Sequence, residues 1–214
     1  MKFLADDVLL LIHAVIITHD CLTHHHIHTF LQIDFESRKN SGSLNDCLMS
    51  VDGTDFRIYQ QGRAEKGNPF GSHKYAGKSA LRYELGVDIL AGHLVWIQGP
   101  YPAGKYNDIT IFNKVLVNFL DPYERVEADC GYRGHPSYIK CPENAANPVE
   151  NLAMQARVRS RHETLNGRLK NWGILQQVFR HDISLHGPVL RACAVLTQLM
   201  LENGEPLYAV DYSD

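Results

Sequence analysis

Three acids in this chain stand where each could offer a carboxylate to a divalent cation. They are Asp52 in Val51-Asp52-Gly53-Thr54, Asp129 in Glu127-Ala128-Asp129-Cys130-Gly131-Tyr132, and Glu163 in Arg161-His162-Glu163-Thr164-Leu165-Asn166. The first two follow β-prone runs, Cys47 to Val51 and Arg125 to Ala128, and the third lies inside a long helical pattern. Two strand ends and one helix can converge. Oxygen ligands carried on separate elements suit hard Mg²⁺ or Mn²⁺, and a pair of such ions activates a nucleophile and stabilises the leaving oxygen of a phosphodiester. Nuclease chemistry is the expectation. A lone Asp at a strand end is ordinarily a turn residue and a lone helical Glu is ordinarily solvated, so the weight rests on where the elements put all three.

Those elements are legible from periodicity and punctuation. The polar, Ser/Gly/Asn-rich stretch 34–46 reads as a linker, which divides the chain into an N-terminal segment, 1–46, and a main α/β domain, 47–214. CLMSV is a short apolar strand, Asp52-Gly53 a turn-prone pair, and Phe56, Ile58 and Tyr59 suggest that extended structure resumes. Leu81 to Leu90 and His93 to Gln98, broken at Ala91-Gly92, predict a hairpin. Asp108 opens an amphipathic helix with Ile109, Phe112, Leu116 and Phe119 at helical spacing, and is the expected cap. Arg125 to Ala128 supplies the next strand, and Tyr138 to Lys140 a further short one.

Asn147, Pro148 and Glu150 fall at N-cap, N1 and N3 of a helix expected to reach about Trp172. Within it Val158, His162, Leu165, Leu169 and Trp172 share one stripe, which places Glu163 on the other side with Arg159, Asn166 and Lys170. A largely apolar helix from Pro188 to about Glu202 closes the domain. The order β-β-β-α-β-(β)-α-α predicts a mixed sheet between helices.

Composition narrows the classes. A hydrophobic fraction of 44% and charged fraction of 21% over 214 residues are those of a soluble globular chain. Five scattered cysteines without a CxxC pair argue against a disulfide framework and for a reducing compartment. Cys130, His135 and Cys141 match no structural-zinc spacing, and the His24, His25, His26 and His28 tract reads as solvated loop. The apolar run Val8 to Thr18 is too short to span a bilayer, so no membrane anchor is expected. The net charge of −3 argues against a protein that coats nucleic acid through its overall field. Between Arg157 and Arg180, however, six bases surround the single acid Glu163. Gly99 to Lys105 satisfies the GxxxxGK half of a phosphate loop, but Tyr106 stands where Ser or Thr is needed and Pro100 and Pro102 lack amide donors; no nucleotide cofactor is expected.

The segments VDGTDFRI, SHKYAGKSALRYELGV, VEADCGYRG and RSRHETLNGRLKNWGIL resemble the catalytic domain of Harbinger-type DDE transposases and the nucleases derived from them, over residues 47 to 212. The resemblance implies a ribonuclease-H-like mixed β-sheet flanked by helices and a triad at Asp52, Asp129 and Glu163. The 33 residues between the last two acids fit the family. It further implies two Mg²⁺ or Mn²⁺ ions, DNA as the partner, a nuclear site of action, and Lys74, Lys78, Arg82, Arg159 and Lys170 as contacts to the DNA backbone. The family's HDS-like motif reads Asn107-Asp108-Ile109 here, lacking the His, so Asp108 is read as a helix cap with a supporting role.

Two other readings stay open. Residues 1–46 show no helix-turn-helix pattern and little basic charge, which suits a domesticated fragment that binds DNA or a protein partner without cutting, or one that relies on a separate DNA-binding protein. A ribonuclease-H-like hydrolase acting on RNA or hybrid is the third, although no aromatic stacking platform for single strands is visible in the sequence.

Overall fold

In the computed structural model, residues 47–60, 67–89, 91–120, 124–141 and 149–208 are described. The N-terminal segment, its histidine tract and linker, and the caps expected at Asn147 and Pro148 lie outside them. β1 (Cys47–Arg57), β2 (Ala80–Asp88) and β3 (Leu94–Pro102) form an antiparallel meander, and β4 (Arg125–Ala128) and β5 (Ile139–Lys140) add to it in parallel. The strand order is β3-β2-β1-β4-β5. Between β3 and β4 lies α1 (Asp108–Lys114), followed by a 3₁₀ turn at Leu116–Asn118; after β5 come α2 (Val149–Asn171), the single turn α3 (Gly173–Gln176) and α4 (His186–Glu202). The architecture is α/β, a five-stranded mixed sheet flanked by helices.

Alternation along β1 builds two cores. Phe56 joins Leu81, Tyr83 and Leu85 of β2 against Leu169 of α2 and Leu190 of α4, whereas Met49 and Val51, facing the other way, join Phe112 of α1, Val126 and Ile139. Side chains spaced by two along a strand share a face, so Ser50, Asp52 and Thr54 go with Phe56, and Gly53 and Asp55 go with Val51. Phe56 is 1% exposed and its ring meets those of Tyr83 and His186, each at 5.8 Å. Phe56→Ala is expected to cost about 3–5 kcal/mol, measured by urea unfolding, because the hole left between two helices and a strand cannot collapse.

Three elements differ from the sequence reading, each for a local reason. Asp52-Gly53 is no turn: β1 runs unbroken through it, with Asp52 paired to Leu85 and Gly53 to Glu84 of β2. Nine consecutive cross-strand pairs outweigh the turn preference of two residues. β3 extends to Pro102, so the phosphate-loop-like stretch begins as strand. α1 ends at Lys114 and Phe119 is 60% exposed, resting against Trp96 at 5.7 Å. The buried stripe of α2 is as expected through Val158, His162, Leu165 and Leu169.

Candidate metal centre

β4 stops pairing with β1 at Val51↔Ala128, yet β1 continues six residues further, to Arg57. The step leaves a notch beside Asp52 and Gly53. Asp129 follows directly on the last residue of β4 and caps the 3₁₀ turn Cys130–Tyr132, its Oδ1 accepting from the Gly131 amide at 2.8 Å. Asp52, on the α2 face, accepts at Oδ2 from Asn166 Nδ2 of α2 at 2.8 Å. Glu163 is exposed one turn before Asn166, about 60° from it around the helix. Asp52 and Asp129 therefore meet at the notch, and α2 is tied to it through Asn166. Glu163 itself makes no ion pair there among the described residues.

Asp108 lies at the same notch, on the α1 face. It is not the cap the sequence suggested: Asn107 caps α1, its Oδ1 accepting from the Thr110 amide at 3.0 Å and from the Thr110 hydroxyl. Released from that duty, the Asp108 carboxylate turns onto β1. A Cβ on Gly53 would overlap its Oδ1, and a Cβ on Gly131 would stand 3.0 Å from its Oδ2 and 2.9 Å from Asp129 Oδ1. Both glycines are open because this carboxylate needs their space.

Electrostatics follow from the crowding. Burial lifts Asp52 to about 6; Lys74 opposes the shift, Asp129 and Asp108 add to it, and the Asn166 hydrogen bond opposes it. Asp108 is raised as well, first by burial, against which Arg82 and Lys74 act. Among the described residues no three His, Cys, Asp or Glu side chains converge closely enough to hold an ion as they stand. Carboxylates without a cation between them repel, and a cation lets them close. Beside Asp52, Asn166 Oδ1 is buried without a hydrogen bond, whereas Asp108 Oδ1 has Arg82 Nη1 as its ion-pair partner at 3.2 Å. This donor set of oxygens fits Mg²⁺ or Mn²⁺.

The candidate backbone contacts divide. Lys74 donates to the Gly53 carbonyl and acts on both Asp52 and Asp108. Lys170 sits over the Phe56 ring at 5.6 Å, and burial followed by the nearby Lys74 lowers its pKa. Lys78 is exposed and Arg159 half-buried. Arg82 is turned inward: 6% exposed, it grips Asp55 from Nε at 2.7 Å and Nη2 at 3.0 Å, with Nη1 3.2 Å from Asp108 Oδ1. It is no surface contact.

Arg161, counted in the basic run, is 1% exposed and donates to the carbonyls of Asp88 and Ile89, the latter at 2.5 Å. An aromatic pair hidden in the sequence also emerges, Tyr101 and Tyr106 with ring centroids 5.0 Å apart and Lys114 over both. Their separation of five residues across the end of β3 hid it. Cys130, His135 and Cys141 form no metal-holding group; Cys141 is buried and Cys130 exposed, both as free thiols.

No described helix is long and apolar enough to cross a membrane. Compared with known proteins, the chain matches no family model, no curated protein and no solved structure.

Proposed function

We propose that this chain is a metal-dependent DNA endonuclease of the DDE transposase kind, built on a ribonuclease-H-like fold and working through Asp52, Asp129 and Glu163. The observation that carries the reading is the meeting of Asp52, inside the central strand, with Asp129, just past the end of the parallel strand beside it, while α2 joins them through the Asn166–Asp52 hydrogen bond. A strand order of β3-β2-β1-β4-β5 with β4 parallel to β1 is the arrangement expected of that fold. One turn along α2 from Asn166, Glu163 is exposed.

Asp52, Asp129 and Glu163 would hold Mg²⁺ or Mn²⁺, which when bound would supply the Lewis acidity to activate a water or 3′-hydroxyl and to neutralise the departing oxygen. The rest falls to the chain. Asn166 holds the Asp52 carboxylate in one orientation, and burial excludes the water that would weaken its field. Lys74 and Lys170 flank the acids and, with Lys78 and Arg159, offer charge to a phosphate backbone, which positions a duplex without reading its sequence. Sequence recognition then falls to a separate DNA-binding protein, and the site of action is the nucleus.

The test is cleavage of supercoiled plasmid, RNA and hybrid oligonucleotides with Mg²⁺ or Mn²⁺, comparing the wild type with Asp52→Ala and Glu163→Ala. Cutting of DNA that falls at least about 100-fold in both variants is expected. Equal cutting by all three proteins refutes the assignment. DNA binding without cutting favours the domesticated, non-catalytic reading, and cutting confined to RNA or hybrid favours the hydrolase.

A further inference from the structure

We propose that Tyr101 and Tyr106, with Lys105 and Lys114, form a platform for an unpaired nucleotide of the DNA substrate, its base on the rings and its phosphate on the ammonium groups. The proposal rests on the nuclease reading above and extends it to the form of the substrate, a duplex with a strand splayed out beside the carboxylate notch.

The sheet puts the platform next to the notch. Tyr101 of β3 pairs with Arg82 of β2, which pairs with Asp55 of β1. Residues directly opposite one another in antiparallel strands share a face, so all three lie on the α1 side. The chain comes back to the same guanidinium after β3: the Tyr106 carbonyl accepts from Arg82 Nη1 at 3.3 Å, and that nitrogen stands 3.2 Å from Asp108 Oδ1. One guanidinium separates the tyrosines from the acids.

Two observations show what the platform is for. Both rings are half-buried, 5.0 Å apart and inclined at 43°, and neither belongs to a hydrophobic cluster of the domain. Gln98 Nε2 donates to the Tyr101 hydroxyl at 2.8 Å, which holds that ring in place. The second observation is charge. Lys114 Nζ lies 5.5 Å from the Tyr101 centroid and 5.1 Å from that of Tyr106, while Lys105 Nζ lies 5.6 Å from the Tyr106 centroid. Two ammonium groups gathered on one ring repel each other, and neither makes an ion pair among the described residues. An anion placed at both relieves that repulsion.

Aromatic faces joined to uncompensated cations are the two components of a site for unpaired nucleotides, since every base has a face to stack and every nucleotide a phosphate to hold. Both lysines are exposed on flexible stems, so they can yield the ring faces to a base and keep its phosphate. A base inside a duplex is covered by its neighbours. Only one that has left the stack can lie on these rings.

The test uses duplexes of one sequence that end blunt, in an unpaired tail of either polarity, or in an abasic tail of the same length, with Ca²⁺ in place of Mg²⁺ so that the strands stay whole. Binding is followed by fluorescence anisotropy, and a fluorescent base analogue in the tail reports stacking through its quenching. The wild type is expected to bind a base-bearing tail about 5-fold or more tighter than the blunt and abasic ends, and to quench the probe. Tyr101→Leu/Tyr106→Leu should lose the preference and the quenching, whereas Tyr101→Phe/Tyr106→Phe, which keeps the rings, should retain both. Lys114→Gln should lower the salt dependence of tail binding by about one phosphate contact. A folded leucine variant with the wild-type preference overturns the proposal. If that variant unfolds by circular dichroism, the abasic comparison on the wild type still decides: abasic and base-bearing tails bound alike mean contact through charge alone and overturn the platform. Either result leaves the nuclease reading to the cleavage assay, and a wild type that binds no DNA overturns both.

Discussion

Asp52→Asn is expected to abolish metal-dependent cleavage and, in the same protein, to raise the melting temperature of the metal-free form. Burial, with Asp129 and Asp108 nearby, lifts the Asp52 carboxyl to about 6 against an ordinary 3.8. A carboxyl whose pKa is higher folded than unfolded binds its proton more tightly in the native state, so its ionisation destabilises the fold. That penalty is absent below the unfolded value, grows as pH rises through the interval up to the folded value, and is complete above it. Two units correspond to on the order of 1–3 kcal/mol.

The gain from Asp52→Asn should therefore be full above about pH 7 in chelator and vanish near about pH 4. Thermal melts at the two pH values, with and without Mn²⁺, measure it. Added Mn²⁺ should stabilise the wild type far more than the variant, because only the wild type has the anionic ligand. A variant less stable than wild type at the higher pH would show that the Asn166–Asp52 hydrogen bond outweighs the charge. Sites that trade stability for chemistry in this sense are common among enzymes.

Arg82→Ala is the second large effect, with an expected loss of about 3–5 kcal/mol in urea unfolding. Asp55 is fully buried, and its oxygens are met by Arg82 Nε and Nη2 and by the Ser72 hydroxyl at 2.5 Å. Removing the guanidinium leaves a buried carboxylate without its counter-charge. Removing the carboxylate too, in Arg82→Ala/Asp55→Ala, should recover part of the loss, so that the double variant is less destabilised than the two single losses added. Strict additivity would mean that the pair contributes through packing alone. The same substitution also releases the Asp108 carboxylate, whose Oδ1 stands 3.2 Å from Arg82 Nη1.

The sequence by itself determined the elements and their order. The apolar runs of β1 and β4, the Ala91-Gly92 break in the hairpin and the stripe Val158–His162–Leu165–Leu169 are local patterns, and local patterns are what a sequence displays. Asp52 and Asp129 were legible because each ends or follows a recognisable run.

Tertiary structure alone decided the rest. Whether Asp52-Gly53 turns or continues depends on pairing with β2, some thirty residues away. Arg82 reads as a surface base until Asp55 and Asp108 are brought beside it. Asp108 and Asn107 are equally good caps on paper, and the choice falls to Asn107 because the notch between β1 and β4 takes the Asp108 carboxylate. Asn166 borders the buried stripe of its helix, since His162 and Leu169 lie within roughly 60° of it, and only the meeting of α2 with β1 turns that border into a contact with Asp52. Charge and hydrogen-bonding capacity belong to a residue. Whether they are spent on solvent, on the core or on a ligand is set by neighbours far away in the chain.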